Sequence, residues 1–148
     1  MTMPSSRLLK STLAALGIAM SFAAVSADSN PLVAERWKTR PVVVVVPTAR
    51  DPLLQKVETA LRQTATREAF IDREMVLYTV VAGEGRRNDK ALAPAQTRAL
   101  LGALKLDAAG APTFVLVGKD GGIKLTEGPG VDLQAVFAEI DRMPMRQR

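Results

Sequence analysis

The chain of 148 residues contains no cysteine and no histidine. Without a thiolate nucleophile, disulfide exchange and thiol peroxidase chemistry are excluded. Without His or Cys ligands, the usual zinc sites are excluded, and so are Ser-His-Asp and Cys-His arrangements. No serine follows Ser29. Aromatic side chains are scarce, with one Trp, one Tyr and four Phe. The formal charge is +5, but no aromatic platform is interleaved with the Lys and Arg residues, so a nucleic-acid surface is not expected. A GxxxxGK(S/T) loop is also missing. GEGRR (83–87) begins as G-x-G but lacks the third glycine and the spacing to a helix, and reads as a solvated loop. Asp120, Glu127 and Asp132 lack the spacing of a calcium loop. The residues therefore point to no cofactor and no metal.

What is present begins with Arg7 and Lys10, an uncharged run from Ser11 to Val25, and the small residues Val25-Ser26-Ala27. This is the pattern of a secretory signal peptide, and the run is short for a membrane span of about 20 residues. The expected organisation is a cleaved leader over 1–27, a flexible lead-in over 28–36 and one domain over 37–148. The expected location is periplasmic or secreted, with no membrane association after cleavage. Cleavage removes two cations and no acid, which lowers the charge from +5 to +3. An exported chain without disulfides must be held together by packing alone.

Within the domain, Val42–Val46 is a continuous β-branched run between Pro41 and Pro47. Such a run predicts a central strand buried on both faces. Asp51-Pro52 is a helix start, followed by Leu54, Val57, Leu61 and Ala65 at helical spacing. Met75–Ala82 predicts a second strand, and Pro94–Lys105 a second helix with Thr97, Leu100, Leu101 and Leu104 on one face. Phe114–Val117, the Asp120-Gly121 turn and the alternating stretch from Ile123 predict a hairpin. A last helix starts near Asp132, with Leu133, Val136, Phe137 and Ile140 one turn apart. The order is β-α-β-α-β-β-α, the first two strands being parallel through a right-handed crossover.

That order, with APTFVLVGKDG (111–121), resembles the thioredoxin fold. The implied architecture is a three-layer α/β/α domain with a mixed four-stranded sheet. Pro112 and Thr113 would match the cis-proline and threonine beside a thioredoxin active site. RPVVVV (40–45), GKDGGIKL (118–125) and IDRMPMR (140–146) resemble the bacterial family called domain of unknown function 4174. That family is regarded as thioredoxin-like and is similar to extracellular domains of sushi-repeat proteins and equarin; it has no agreed activity. The resemblance marks Arg40, Lys119, Asp120, Asp141, Arg142, Met143, Pro144, Met145 and Arg146 as signature residues. It carries no redox chemistry here, because no thiol is present to receive it.

The resulting expectation is a binding module whose ligand site is the cleft between Thr48, Arg50 and Asp51 and Ala111, Pro112 and Thr113. A helix start offers free N–H groups and partial positive charge, and Arg50 adds a planar fork for a carboxylate or phosphate. A cis Ala111-Pro112 bond, implied by the resemblance alone, would expose the Ala111 backbone to an added peptide strand. The expected partner is a peptide, protein or anionic ligand. Two rivals stay open. One is an enzyme using Arg40, Arg50 and Asp51, recognisable by perturbed acids in a closed pocket. The other is a structural partner in an envelope assembly, recognisable by an apolar patch around Met143 and Met145. Beside these stand plainer roles: Asp51 as a helix cap, Lys119 and Lys124 as solvated edge charges, and the Met-Pro-Met segment as a lock on the last helix.

Overall fold

Five consecutive valines force the architecture, because a strand with no polar side needs cover on both faces. The computed structural model describes residues 29–146; the expected leader lies outside the described residues. A 3-10 helix (Pro31–Glu35) leads into β1 (Arg40–Val46), α1 (Pro52–Arg62), α2 (Thr64–Asp72) and β2 (Met75–Val81). Then come β3 (Glu84–Arg87), β4 (Lys90–Ala91), α3 (Pro94–Leu104), β5 (Thr113–Val117), β6 (Ile123–Glu127) and α4 (Leu133–Asp141). The strands form one mixed sheet in the order β4-β3-β2-β1-β5-β6. β1 is parallel to β2 and antiparallel to β5, and β5 pairs antiparallel with β6. Val42–Val46 are 0–2% exposed, as the uninterrupted run predicts. Val42, Val44 and Val46 pack with Leu53, Val57, Phe70, Phe137 and Ile140 from α1, α2 and α4. Val43 and Val45 pack on the other face with Leu100 and Leu104 of α3 and with Leu32 of the 3-10 helix. Fully burying a valine contributes about 1.5–3 kcal/mol, so both layers are needed.

The sheet has six strands, not the four expected. The additional pair is β3–β4, in the stretch read as a solvated loop. Its side chains are mostly exposed, so it shows none of the apolar pattern by which strands are recognised. Asn88 makes the turn with φ 49° and anchors it to β2, accepting from the Leu77 N–H at 3.2 Å. Gly85 is buried beneath α3: a Cβ there would stand 2.2 Å from Thr97 Oγ1. The first long helix is also two helices, broken at Gln63 (φ −75°, ψ 129°). Ala65 is consequently exposed, while Thr66 and Phe70 are buried. No Gly or Pro marks that break.

Within the stretch expected as a flexible lead-in over 28–36, residues 30–36 pack on the domain. Asn30 caps the 3-10 helix by accepting from the Leu32 N–H at 3.0 Å. Leu32 enters the core and Glu35 is buried. Tyr78 Oη and Arg87 Nε donate to Glu35 Oε1 at 2.7 and 2.6 Å, and Thr39 Oγ1 donates to Oε2 at 2.6 Å. The carboxylate thus ties the N-terminal segment to β2 and β3. Burial pushes its pKa up, but the hydrogen bonds from Arg87, Thr39 and Tyr78 together prevail and hold it below its ordinary value. Burial and the same carboxylate push the Tyr78 hydroxyl upward.

Because the native pKa of Glu35 is depressed, its stabilisation is complete above the ordinary carboxylate range. It is lost as pH falls through the native value. Glu35→Gln is expected to lower stability at neutral pH by about 1–3 kcal/mol and to flatten the loss as pH falls below the ordinary carboxylate range. Urea midpoints across that range check both effects; an unchanged acid limb would remove Glu35 from the account. Gly85→Ala is expected to cost about 1–3 kcal/mol by overpacking against Thr97, with part of the loss recovered in Gly85→Ala/Thr97→Ala.

Candidate functional site

The expected cleft lies where β1 leaves the sheet. The pairing of Val45 with Thr113 places Pro112 at the same end of the sheet as the Thr48–Asp51 loop. Its polar groups are largely engaged within the chain. Asp51 is buried and caps α1, accepting from the Leu53 N–H at 2.9 Å. Thr113 Oγ1 donates to the Ala111 carbonyl at 2.8 Å. The Ala111-Pro112 bond is trans, since no cis bond occurs among the described residues; the cis bond implied by the thioredoxin resemblance is thereby corrected. Thr48 and Arg50 are exposed.

The residues that the family resemblance marks gather at the opposite end of the sheet. Arg40 opens β1 and is 1% exposed. It has the same parity as Val42 and Val44, so it lies beneath the face covered by α4. Its Nη1 donates to the Arg73 carbonyl at 2.9 Å and lies 3.8 Å from Glu74 Oε2. Burial lowers its pKa, Glu74 opposes this and Arg146 adds to it. The antiparallel register Val42↔Leu116 brings the exit of β5, Gly118-Lys119-Asp120, alongside. Lys119 pairs with Glu74, and Lys124 Nζ donates to Asp120 Oδ2 at 2.9 Å.

The C-terminal segment forms the remaining wall. Arg73 Nε and Nη2 donate in parallel to Asp141 at 3.0 and 2.7 Å, and the guanidinium stacks 4.7 Å from the Phe137 ring centre. Such a fork-to-carboxylate pair with a cation–π contact fixes both partners. Arg146 donates to the Asp72 carbonyl at 2.8 Å, pairs with the Asp72 carboxylate, and lies 3.5 Å from Asp141. Pro144 follows α4, and the tail returns toward α2 between these two clamps. Arg73 hydrogen bonds chiefly hold the Asp141 pKa below its ordinary value, with Arg146 helping. Lys119 does the same for Glu74, and Lys124 with the Gly122 N–H for Asp120. These carboxylates are fixed as anions, and none is tuned toward neutrality.

Arg40, Lys119, Asp120, Met143, Pro144 and Met145 line one cavity of about 340 Å³, together with Trp37, Gly118 and Lys124. Asp141 and Arg146 stand behind its wall. Arg142 pairs with Glu139 on α4 and is not in the lining. The volume is within the range of small-ligand pockets. Trp37 is 67% exposed and Met145 41%, so apolar surface is presented at the rim. Trp37 has φ 64°, and its N–H donates to the Lys119 carbonyl at 2.7 Å. Glu74, across the site, has φ 53°. A left-handed backbone at a non-glycine residue costs about 1–2 kcal/mol; Trp37 is the one in this lining, and Ala82, Asn88 and Lys105 adopt it elsewhere. Sequence reasoning missed Trp37 and Gly118 and read Lys124 as an edge charge. A lone Trp within a lead-in carries no periodic signal, and its role depends on contacts more than 80 positions away.

A family model described as Domain of unknown function (DUF4174) matches residues 31–148. The match includes the 3-10 helix and the C-terminal wall. No curated protein and no solved structure matches the chain.

Arg40→Met removes the buried donor to the Arg73 carbonyl while keeping much of the volume. It is expected to cost about 1.5–3 kcal/mol, the range for a hydrogen bond to a charged group, measured by urea unfolding. A variant as stable as the parent would show that Arg40 does not organise this end of the sheet.

Proposed function

The chain belongs to the family described as Domain of unknown function (DUF4174), and from that premise we propose that it is a redox-inactive ligand-binding module of thioredoxin-like type, working in the periplasm or outside the cell. The thioredoxin-like reading is supported by the succession β1–helices–β2 and β5–β6–α4, with helices on both faces of the sheet. Export is supported by the basic start, uncharged run and small-residue ending of residues 1–27. The absence of cysteine removes the chemistry of thioredoxins and leaves a scaffold with a pocket.

The observation that carries the binding reading is convergence. Signature residues separated by about a hundred positions line one cavity, whose rim carries the exposed Trp37 and Met145. A structural lock alone does not require an exposed indole or a strained backbone at its rim. Turnover is the weaker reading, since the acids around the pocket are held as anions and none is set to exchange a proton near neutrality. The cleft at Thr48–Asp51 is the competing location, favoured by the exposed Arg50.

Trp37 is the single tryptophan, so its emission reports on the cavity directly. Anilinonaphthalene sulfonate, an apolar anionic dye, is expected to accept energy from Trp37 on binding. Met145→Glu should weaken the dye by about tenfold or more, and Arg50→Glu should leave it unchanged. The reverse pattern would move the site to the cleft, and no binding by the parent protein would remove the reading.

A further inference from the structure

We propose that the ligand of the Trp37 pocket is a carboxylate with an apolar body, its head group held by Lys124 and Lys119 and its body lying against Trp37, Met143 and Met145. This inference rests on the binding reading above and names the ligand's chemistry.

The lining contains three cations, Arg40, Lys119 and Lys124, and one carboxylate, Asp120. The rest is apolar apart from backbone, so an acidic head with an apolar body is the complementary shape of charge. Arg40 is buried and turned to the Arg73 carbonyl, so it supplies positive charge from below rather than a direct contact. The two lysines are the reachable donors. Each is held by a carboxylate whose side chain is about half exposed, Glu74 for Lys119 and Asp120 for Lys124. The Lys124 and Asp120 side chains are 35% and 45% exposed, and such an exposed pair contributes about 0–1 kcal/mol, so an incoming anion displaces Asp120 at little cost; the Lys119 side chain is 15% exposed and keeps Glu74 while offering its remaining N–H donors. A charge-assisted hydrogen bond made inside a partly apolar pocket is stronger than one at the open surface. The group to be displaced is a carboxylate, so the donor arrangement already suits a carboxylate head.

Gly118 gives a second, independent sign. A Cβ there would meet Lys124 Cε at 2.4 Å and Asp120 Oδ1 at 2.9 Å. Its φ lies outside the left-handed range, unlike that of Gly121 at +85°, so the backbone does not demand glycine. What glycine permits is the lysine stem folding across the hairpin into the pocket. Lys124 is itself exposed on β6, but its stem lies over Gly118 rather than extending away from the hairpin.

Fluorescence of Trp37 is titrated with decanoate below its micellar concentration, with decyltrimethylammonium, and with N-acetyl-Leu-Leu bearing a free or an amidated C-terminus. Decanoate or the free-acid peptide is expected to bind about tenfold or more tightly than its cationic or amidated counterpart. Decanoate alone would identify a free fatty carboxylate as the source, and the peptide acid alone a chain terminus; either supports the proposal. Lys124→Gln should weaken the carboxylate about tenfold, and Gly118→Ala should weaken it by displacing Lys124, with circular dichroism confirming the fold. Asp120→Asn keeps the oxygen that accepts from the Gly122 N–H but frees Lys124, and should tighten binding about three- to tenfold. Equal binding of decanoate and decyltrimethylammonium would overturn the carboxylate assignment while leaving the pocket a binding site. No response to any probe would overturn both. An Asp120→Asn variant that binds carboxylate more weakly would overturn the head-group exchange.

Discussion

Val42–Val46 have almost no solvent exposure on either face of β1, and that requirement organises everything else. A strand apolar on both sides must be covered by two layers. α1, α2 and α4 supply one, and α3 with the 3-10 helix supplies the other. Once β1 occupies the centre, its two ends become the two places where loops from different elements meet. At one end the chain enters α1 beneath an aspartate cap. At the other, Arg40, the exit of β5 and the segment after α4 come together. Both ends present side chains to solvent, Thr48 and Arg50 at one and Trp37 and Met145 at the other.

The C-terminal end of α4 is held by charge rather than by apolar contact alone. Arg73 grips Asp141 with both arms of its fork and stacks on Phe137, while Arg146 reaches back to Asp72. The carboxylates of these pairs are 44–66% exposed, but the Arg73 and Arg146 side chains only 16% and 27%. Together they set the path of the Met143-Pro144-Met145 segment, which is the wall of the pocket. Its cost in apolar exposure falls on Met145 and Trp37. Methionine adapts its shape to a neighbour more readily than a branched side chain does, so this wall can repack.

The carboxylates near the cavity are all held toward the ionised form. General acid–base chemistry needs a group whose pKa lies near the working pH. Glu74, Asp120 and Asp141 are instead held below the ordinary range by Lys119, Lys124 and Arg73. Glu35, the buried carboxylate, faces the other layer and is spent on Tyr78, Arg87 and Thr39. The resulting picture is a pocket with fixed charge and apolar walls.

Much of the fold was legible in the residues, because local chemistry dictates it. The valine run specifies a central strand. Asp51-Pro52 and Asp132 specify helix starts, and both side chains make the cap hydrogen bond. Gly121 takes the positive φ that the hairpin turn needs. β3 and β4 were not legible, since an exposed edge pair has no apolar alternation and is held by Gly85 under Thr97 and by Asn88 at its turn. The break at Gln63 was hidden for the same kind of reason, there being no Gly or Pro to announce it. The sequence by itself determined the absent chemistry, since no arrangement in space makes a thiol or an imidazole from other side chains. Only the tertiary structure decided where the signature residues meet. Arg40, Lys119 and Met145 become neighbours through strand register and the return of the tail, and those depend on packing between distant segments, which no local pattern encodes.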